Sequence, residues 1–292
     1  MKKKSVFRGA ATALITPFRD GKPDKAAFCS LIRAQCDAGI DALVVCGTTG
    51  EAATLTDREQ SMLISWAREN ASPTIPIIAG CGSPSTVHAV KLAQNACKAG
   101  ADALLCVTPY YNKCTEDGLY AHYTAIADAS EVPLILYEVP ARTGVKVLPQ
   151  TYTRLAAHEN IAAVKDAAGD LSHTAELLRL CGDTLDVYSG DDALTVPILS
   201  LGGAGVISVL SNLIPETVAA MCRAWFSADR EKAAQIQLSH LPQIHALFSH
   251  VNPVPVKAVM AAKGLCREEY RLPLCPLSDG EKTQLLKVFG DI

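Results

Sequence analysis

The sequence predicts an α/β protein, a (β/α)8 TIM barrel with a C-terminal helical appendage. Three observations carry that prediction. Eight short segments rich in apolar and β-branched residues recur along the 292-residue chain. Each reads as a continuous apolar run and not as an alternation, the pattern of strands covered on both faces. Each is followed by a polar or glycine-containing turn and, in most cases, by a helix-like stretch, and eight such units close into a barrel. A doubly wound open sheet is the competing architecture, but no Gly-x-Gly-x-x-Gly turn follows the first strand.

In order, the predicted strands span 9–18, 41–47, 76–82, 103–109, 133–140, 161–168, 185–191 and 203–210. Helical spacing or helix-start signals fall between them at 24–38, 57–70, 85–99, 116–129, 149–158, 171–181 and 193–201. Thr56 and Glu59 form a Thr-x-x-Glu capping box, and Pro149 suits a first helical turn. After Leu210 the strands stop. Helices are predicted at 215–227, which completes the barrel, and at 230–248, 255–264 and 278–289, with Asn252-Pro-Val-Pro255 as the break. The expected organisation is a catalytic barrel over 1–228 with C-terminal helices over 229–292 packed on it, and no independent second domain.

A chain of this length with 49% hydrophobic residues can bury one large core. Its net charge of −3, with signs dispersed, gives no basic field for nucleic acid. Met1-Lys-Lys-Lys4 is followed by Ser5-Val-Phe-Arg8 and not by an apolar h-region, and no apolar run approaches membrane length. The expected setting is the cytoplasm, without membrane or nucleic-acid partners. Eleven cysteines, an odd number, sit mostly in apolar segments without a Cys-x-x-Cys pair, and no His-rich cluster accompanies them. They read as small core residues in a reducing compartment, not as a disulfide framework or zinc site.

The reacting groups of such a barrel collect at the C-terminal ends of its strands. The sixth strand, Ile161-Ala-Ala-Val-Lys165-Asp, carries one lysine near that end. Strand alternation puts Ala163, Lys165 and Ala167 on one face and Val164 and Asp166 on the other. Taken alone, Lys165 reads most simply as half of a structural ion pair. A lysine amine with a free lone pair, however, is what Schiff-base formation with a ketone needs. The other strand ends favour the second reading. The second ends in Gly47-Thr-Thr-Gly50-Glu51, whose hydroxyls and backbone N–H groups suit a carboxylate, although a plain turn would also use them. The fourth ends in Thr108-Pro-Tyr-Tyr111-Asn112 and the fifth in Tyr137-Glu-Val-Pro140-Ala-Arg142-Thr-Gly144. Hydroxyls in series can pass protons, and the Arg142 fork can hold a carboxylate; the alternatives are amphipathic core tyrosines and a rim salt bridge. Ser189-Gly-Asp-Asp192 and Gly202-Gly-Ala-Gly205 end the seventh strand and open the eighth, with glycines that suit either a ligand wall or tight turns.

Taken together, these motifs resemble the pyruvate-dependent class I aldolases of the dihydrodipicolinate synthase and N-acetylneuraminate lyase family. The resemblance runs from Gly9-Ala-Ala-Thr-Ala-Leu-Ile-Thr-Pro-Phe18 through Gly47–Glu51, Thr108–Lys113, Tyr137–Gly144, Lys165, Ser189–Asp192 and Gly205–Val209 to Pro253-Val-Pro-Val-Lys257. It implies that Lys165 forms the Schiff base with pyruvate and that Tyr137 is the general acid/base. Thr48 and Tyr111 would complete a proton relay, Tyr111 being lent across a dimer interface. Thr49, Gly190 and the backbone near Ile207 would hold the pyruvate end, and Arg142 the carboxylate of L-aspartate 4-semialdehyde. The implied reaction belongs to diaminopimelate and lysine biosynthesis. It uses no cofactor and no metal, because the protonated imine is itself the electron sink. The implied assembly is a homotetramer built as a dimer of dimers. Arg-Thr-Gly favours this reaction over cleavage of 2-keto-3-deoxy sugar acids or N-acetylneuraminate, the alternative within the family.

Departures from the family pattern carry expectations of their own. Glu138 stands where Asn is usual, and alternation should turn it away from Tyr137, with a modest effect on Arg142. Asp166 replaces the usual glutamate after the lysine. At the site where some members bind inhibitory L-lysine, Pro84, His88 and Gln60 replace Asn, Glu and His, while Tyr110 is retained. The loss of a carboxylate for lysine's ammonium predicts weak or absent inhibition.

Overall fold

The computed structural model describes residues 3–290, so Met1 and Lys2 of the basic opening and the last two residues of the C-terminal segment lie outside the described residues. Eight parallel strands form a closed barrel: β1 (Gly9–Ala13), β2 (Ala42–Val45), β3 (Ile77–Gly80), β4 (Ala103–Val107), β5 (Leu134–Glu138), β6 (Ile161–Asp166), β7 (Asp186–Ser189) and β8 (Gly205–Ser208). Each pairs with its sequence neighbour, and β1 pairs with β8 to close the ring. All eight fall inside the predicted segments but are shorter. The first runs only to Ala13. Pro17 lacks a ladder donor, and Phe18–Arg19 pairs instead with Lys22–Pro23 in a small antiparallel hairpin.

Alternation divides each strand between two apolar layers. Ala11, Val44, Ile78, Leu105, Ile135, Ala163 and Ile207 fill the barrel interior. Their neighbours, among them Ala10, Leu43, Leu104, Leu136, Val164 and Val206, pack outward beneath the helices. Burying each Leu, Ile or Val contributes about 1.5–3 kcal/mol. The N-terminal end of the barrel is plugged by Phe7, which stacks on Tyr188 with ring centroids 4.1 Å apart and accepts the Tyr188 hydroxyl at its backbone oxygen. The chemistry is thereby left to the other end.

The longer helices that follow the strands in turn are α1 (Lys25–Asp37), α2 (Asp57–Asn70), α3 (Thr86–Lys98), α4 (Glu116–Asp128), α5 (Pro149–Ala156), α6 (Leu171–Cys181), α7 (Thr195–Ser200) and α8 (Pro215–Phe226). The Thr56/Glu59 capping box is formed, and Pro149 occupies the first turn of α5. Asp170 caps α6 by accepting from the amides of Ser172 and His173.

Beyond a turn at Ala228 (φ 68°) come α9 (Arg230–Ser239), α10 (Leu241–Leu247), α11 (Val254–Ala262) and α12 (Asp279–Val288). The single helix expected over 230–248 is therefore two. Pro242 has no N–H for a helical bond to Leu238, so the chain breaks at His240 and restarts with the proline in a first turn. Helix α11 reaches back over the barrel mouth. Its Lys257, fully buried, donates to Glu51 Oε1 at 2.5 Å and to the backbone oxygens of Thr16 and Glu269. This pair ties the C-terminal helices to the loop that follows β2. No helix among the described residues is long and apolar enough to cross a membrane.

Candidate active site

Strand register assembles the centre of the site. β5 and β6 align Tyr137 with Lys165, and β6 and β7 align Lys165 with Tyr188. The alternation that sends Ala163 into the barrel sends Lys165 there too. Lys165 is only 6% exposed, and its Nζ lies 4.2 Å from the centroid of the Tyr137 ring. The ion pair that the bare sequence suggested is not formed. Asp166 points outward, where its carboxylate accepts from the Thr174 hydroxyl and the Ala168 amide. Among the described residues no carboxylate pairs with Lys165, so the amine sits against a phenol in an apolar barrel.

The space beside that amine is set by Gly190. Its amide donates to Asp166 O at 2.7 Å, and a Cβ at this position would stand 3.0 Å from Lys165 Cε. Close approach of backbone to the lysine stem is what glycine permits here.

A cavity of about 460 Å³ opens at the strand ends, lined by Thr48, Tyr137 and Arg142 together with Tyr110, Val139, Asn252 and others. Arg142 lies on a one-turn helix, Pro140–Thr143, that ends at Gly144 in the left-handed region. Its guanidinium is exposed and donates from Nη2 to Asn252 O at 3.1 Å. Thr49 is buried beside this cavity, and its Oγ1 accepts from Asn252 Nδ2 at 2.9 Å. Ile207 is buried in the interior on β8, opposite Ala11.

Lys165, Thr49, Gly190 and Ile207 are not among the residues that line the cavity, and neither is Tyr111. Tyr111 is 95% exposed and held at φ 70°, a left-handed conformation uncommon for a tyrosine, so its ring points away from the protomer's own cavity. Asn252 was read in the sequence only as part of a helix break. In the fold it joins Thr49 to Arg142, and its Oδ1 is buried without a hydrogen-bond partner. An amide just ahead of a Pro-x-Pro pair was the only available signal.

Glu138 is turned away from Tyr137, as alternation required, and does not meet Arg142. Its Oε2 accepts from the Tyr152 hydroxyl at 2.6 Å and from His173 Nε2 at 2.9 Å, and its Oε1 accepts from the Val147 amide at 2.9 Å. The hydrogen bond to this carboxylate holds His173 above the usual imidazole range, while burial pushes Asp166 up.

The far wall of the cavity includes Gln60, Ser83 and His88. His88 is engaged by Asp57 through Nε2 at 2.9 Å and by Ser83 through Nδ1 at 3.1 Å. Asp57 is also bound by Lys91, and both partners hold its carboxyl below the usual range.

Residues 6–291 match the Dihydrodipicolinate synthetase family. The chain belongs to that family. It is similar to the 4-hydroxy-tetrahydrodipicolinate synthase of Geobacter sulfurreducens, with 47% identity over 98% of this chain and 99% of that one. Dihydrodipicolinate synthase from Thermotoga maritima superimposes with a TM-score of 0.96 at 40% identity, covering 98% and 99% of the two chains. A dihydrodipicolinate synthase variant described as the first monomeric one superimposes at 0.95 with 40% identity, covering 97% and 96%. Family membership agrees with both the fold class and the family resemblance of the sequence.

Proposed function

We propose that this enzyme condenses pyruvate with L-aspartate 4-semialdehyde to give 4-hydroxy-2,3,4,5-tetrahydrodipicolinate, in diaminopimelate and lysine biosynthesis. The observation that carries the reading is Lys165: a buried amine with no carboxylate partner among the described residues, 4.2 Å from the ring of Tyr137, at the mouth of the barrel. The Lys165 amine attacks C2 of pyruvate, and the Tyr137 hydroxyl delivers and removes the protons needed to expel water and form the imine. Loss of a C3 proton gives the enamine, with the imine nitrogen as electron sink. The enamine carbon attacks the aldehyde of the second substrate. Its amino group then adds to C2, which closes the ring and releases Lys165.

Thr48, on the cavity wall with Tyr137, carries protons between the phenol and the rim. Thr49, Gly190 and the backbone near Ile207 receive the pyruvate end, and Arg142 takes the carboxylate of the semialdehyde. A homodimer completes the relay. Tyr111 is exposed on a segment tied to the 84–88 region by the bond from Asn112 Nδ2 to Pro84 O, where Val87 is 82% exposed. Two copies meeting across this face place Tyr111 of each in the site of the other, within a tetramer built as a dimer of dimers. The buried thiols suit a reducing cytoplasm.

Borohydride reduction in the presence of pyruvate tests the reading. The expected product is a reduced pyruvate adduct on the peptide containing Lys165, absent in Lys165→Ala, which retains the wild-type melting behaviour and loses turnover. A chain that forms no adduct, or Lys165→Ala with substantial activity, would overturn it. Turnover with aspartate semialdehyde, and not cleavage of keto-deoxy sugar acids, is the expected specificity.

A further inference from the structure

The segment that carries Arg142 leaves β5 at Glu138 and returns toward α5 at Val147. Between these points its backbone is held by its own short bonds: Thr143 Oγ1, 3.2 Å from the oxygens of Val139 and Val145, shares its one proton between them and accepts the Val145 amide. Among the described residues the Arg142 guanidinium makes one hydrogen bond, to Asn252 O. Where the guanidinium stands relative to Tyr137 therefore depends on how the two ends of this segment are fastened. One end is covalent, through Glu138 to Tyr137. The other end is fastened at the Val147 amide by the buried Glu138 side chain at 2.9 Å, flanked by the exposed Lys146–Asp170 ion pair and by the longer bonds from the Leu148 amide to Glu116.

We propose that Glu138 is a positioning residue that sets specificity for the second substrate, by clamping the Arg142 segment closed against β5. This rests on the functional reading above and deepens it. The carboxylate is completely buried and saturated by three donors from three parts of the chain: Val147 at the end of the segment, Tyr152 on α5 and His173 on α6. The last two do not touch the cavity. They fix the carboxylate so that it can hold the amide. A carboxylate is costly to bury unless its oxygens are fully hydrogen-bonded, and here Asp166, also buried and outward-facing, is its register partner on β6. Two adjacent buried carboxylates are tolerable only with a donor such as His173 between the helices and the sheet. Because Glu138 follows Tyr137 on the opposite face of the same strand, the clamp acts on Arg142 without contacting any substrate.

The experiment compares Glu138→Ala, Glu138→Gln and Tyr152→Phe with the unmodified enzyme. Glutamine retains an acceptor for the Val147 amide, whereas alanine removes it. For Glu138→Ala the expected result is a rise of about tenfold in KM for L-aspartate 4-semialdehyde, the scale of one charge-assisted hydrogen bond no longer held in place. The KM for pyruvate and the yield of the borohydride adduct stay within about twofold, because Lys165 and Tyr137 lie on the other face of the strands. Glu138→Gln recovers most of the loss, and Tyr152→Phe gives a smaller rise in the same direction. Hydrogen exchange over 139–148 is faster in Glu138→Ala than in the unmodified protein. If Glu138→Ala does not fold, Tyr152→Phe, which removes only a hydroxyl, decides the matter through the same two KM values. Faster exchange with an unchanged semialdehyde KM, or parallel changes in both KM values, overturns the positioning role. If the unmodified protein forms no pyruvate adduct, the functional reading fails and takes this role with it; a normal adduct with unresponsive variants refutes the clamp alone.

Discussion

Adding one methyl group at Gly190 tests how tightly Lys165, the proposed nucleophile, is seated. A Cβ there would lie 2.8 Å from Ala167 Cβ, 3.0 Å from Lys165 Cε and 3.1 Å from Asp166 O. Carbon atoms in favourable contact stand about 3.5–4.0 Å apart, so each neighbour is too close by several tenths of an ångström or more. Ala167 Cβ and Asp166 O are fixed by the backbone, and Asp166 O is already the acceptor of the Gly190 amide at 2.7 Å. The Lys165 stem is the soft neighbour and moves first, whereas the 2.8 Å approach to Ala167 Cβ is relieved only by a backbone shift. Overpacking of this kind costs about 1–3 kcal/mol, a fall in Tm of a few degrees for a protein of this size. The larger effect is on chemistry, because moving a reacting group by about 1 Å can cost on the order of 100-fold in rate. Rapid-quench borohydride trapping of the pyruvate adduct in Gly190→Ala, normalised to folded protein, measures that rate directly. A trapping rate within about twofold of the unmodified enzyme would show that the Lys165 stem is not seated against Gly190, whatever happens to Tm.

Three further predictions concern stability and regulation. Lys257→Met leaves Glu51 buried without its partner and is expected to cost about 3–5 kcal/mol in urea unfolding; adding Glu51→Leu should recover most of it, and a single variant as stable as the parent would show the pair to be idle. Glu59, gripped by both terminal nitrogens of Arg271, is held down from 4.5 to about 2. The folded carboxyl binds its proton less readily than the unfolded one, so this contribution is complete above pH 4.5 and is lost as pH falls toward 2. Melts across that range should therefore decline less steeply in Glu59→Gln. L-Lysine at millimolar concentration is expected to leave turnover nearly unchanged, since His88 offers no carboxylate to its ammonium and is itself engaged by Asp57 and Ser83; an inhibition constant in the low micromolar to submillimolar range would refute this.

How much could be read from the sequence depended on how local each cause was. Strands buried on both faces announce themselves as apolar runs, which is why all eight were legible, and a lone lysine in such a run is conspicuous. The break at His240 was equally local, because Pro242, inside the single helix expected over 230–248, requires two. Asn252 meets Thr49 from 203 residues away, and no pattern in the chain marks that contact. His173 and Tyr152 were missed for the same reason. Their role exists only because α5 and α6 cover β5, which brings two donors onto a carboxylate 14 and 35 residues distant. Yet the need for them was implicit in the sequence, because an acid inside an apolar strand must be satisfied by something.

That need explains how the two faces of β5 and β6 divide the work. The period of two places Tyr137 and Lys165 inside the barrel and Glu138 and Asp166 outside, at paired register positions. The inner pair must stay free of carboxylates for the amine to act as the proposed nucleophile, whereas the outer pair consists of carboxylates that bind α5, α6 and the Arg142 segment to the sheet. A one-residue slip would exchange the two sets, putting the acids inside the barrel and the Lys165 amine under the helices. The hydrogen bonds of Glu138 and Asp166 therefore do more than fasten helices. They oppose that slip, and so secure the register on which the pairing of Lys165 with Tyr137 depends.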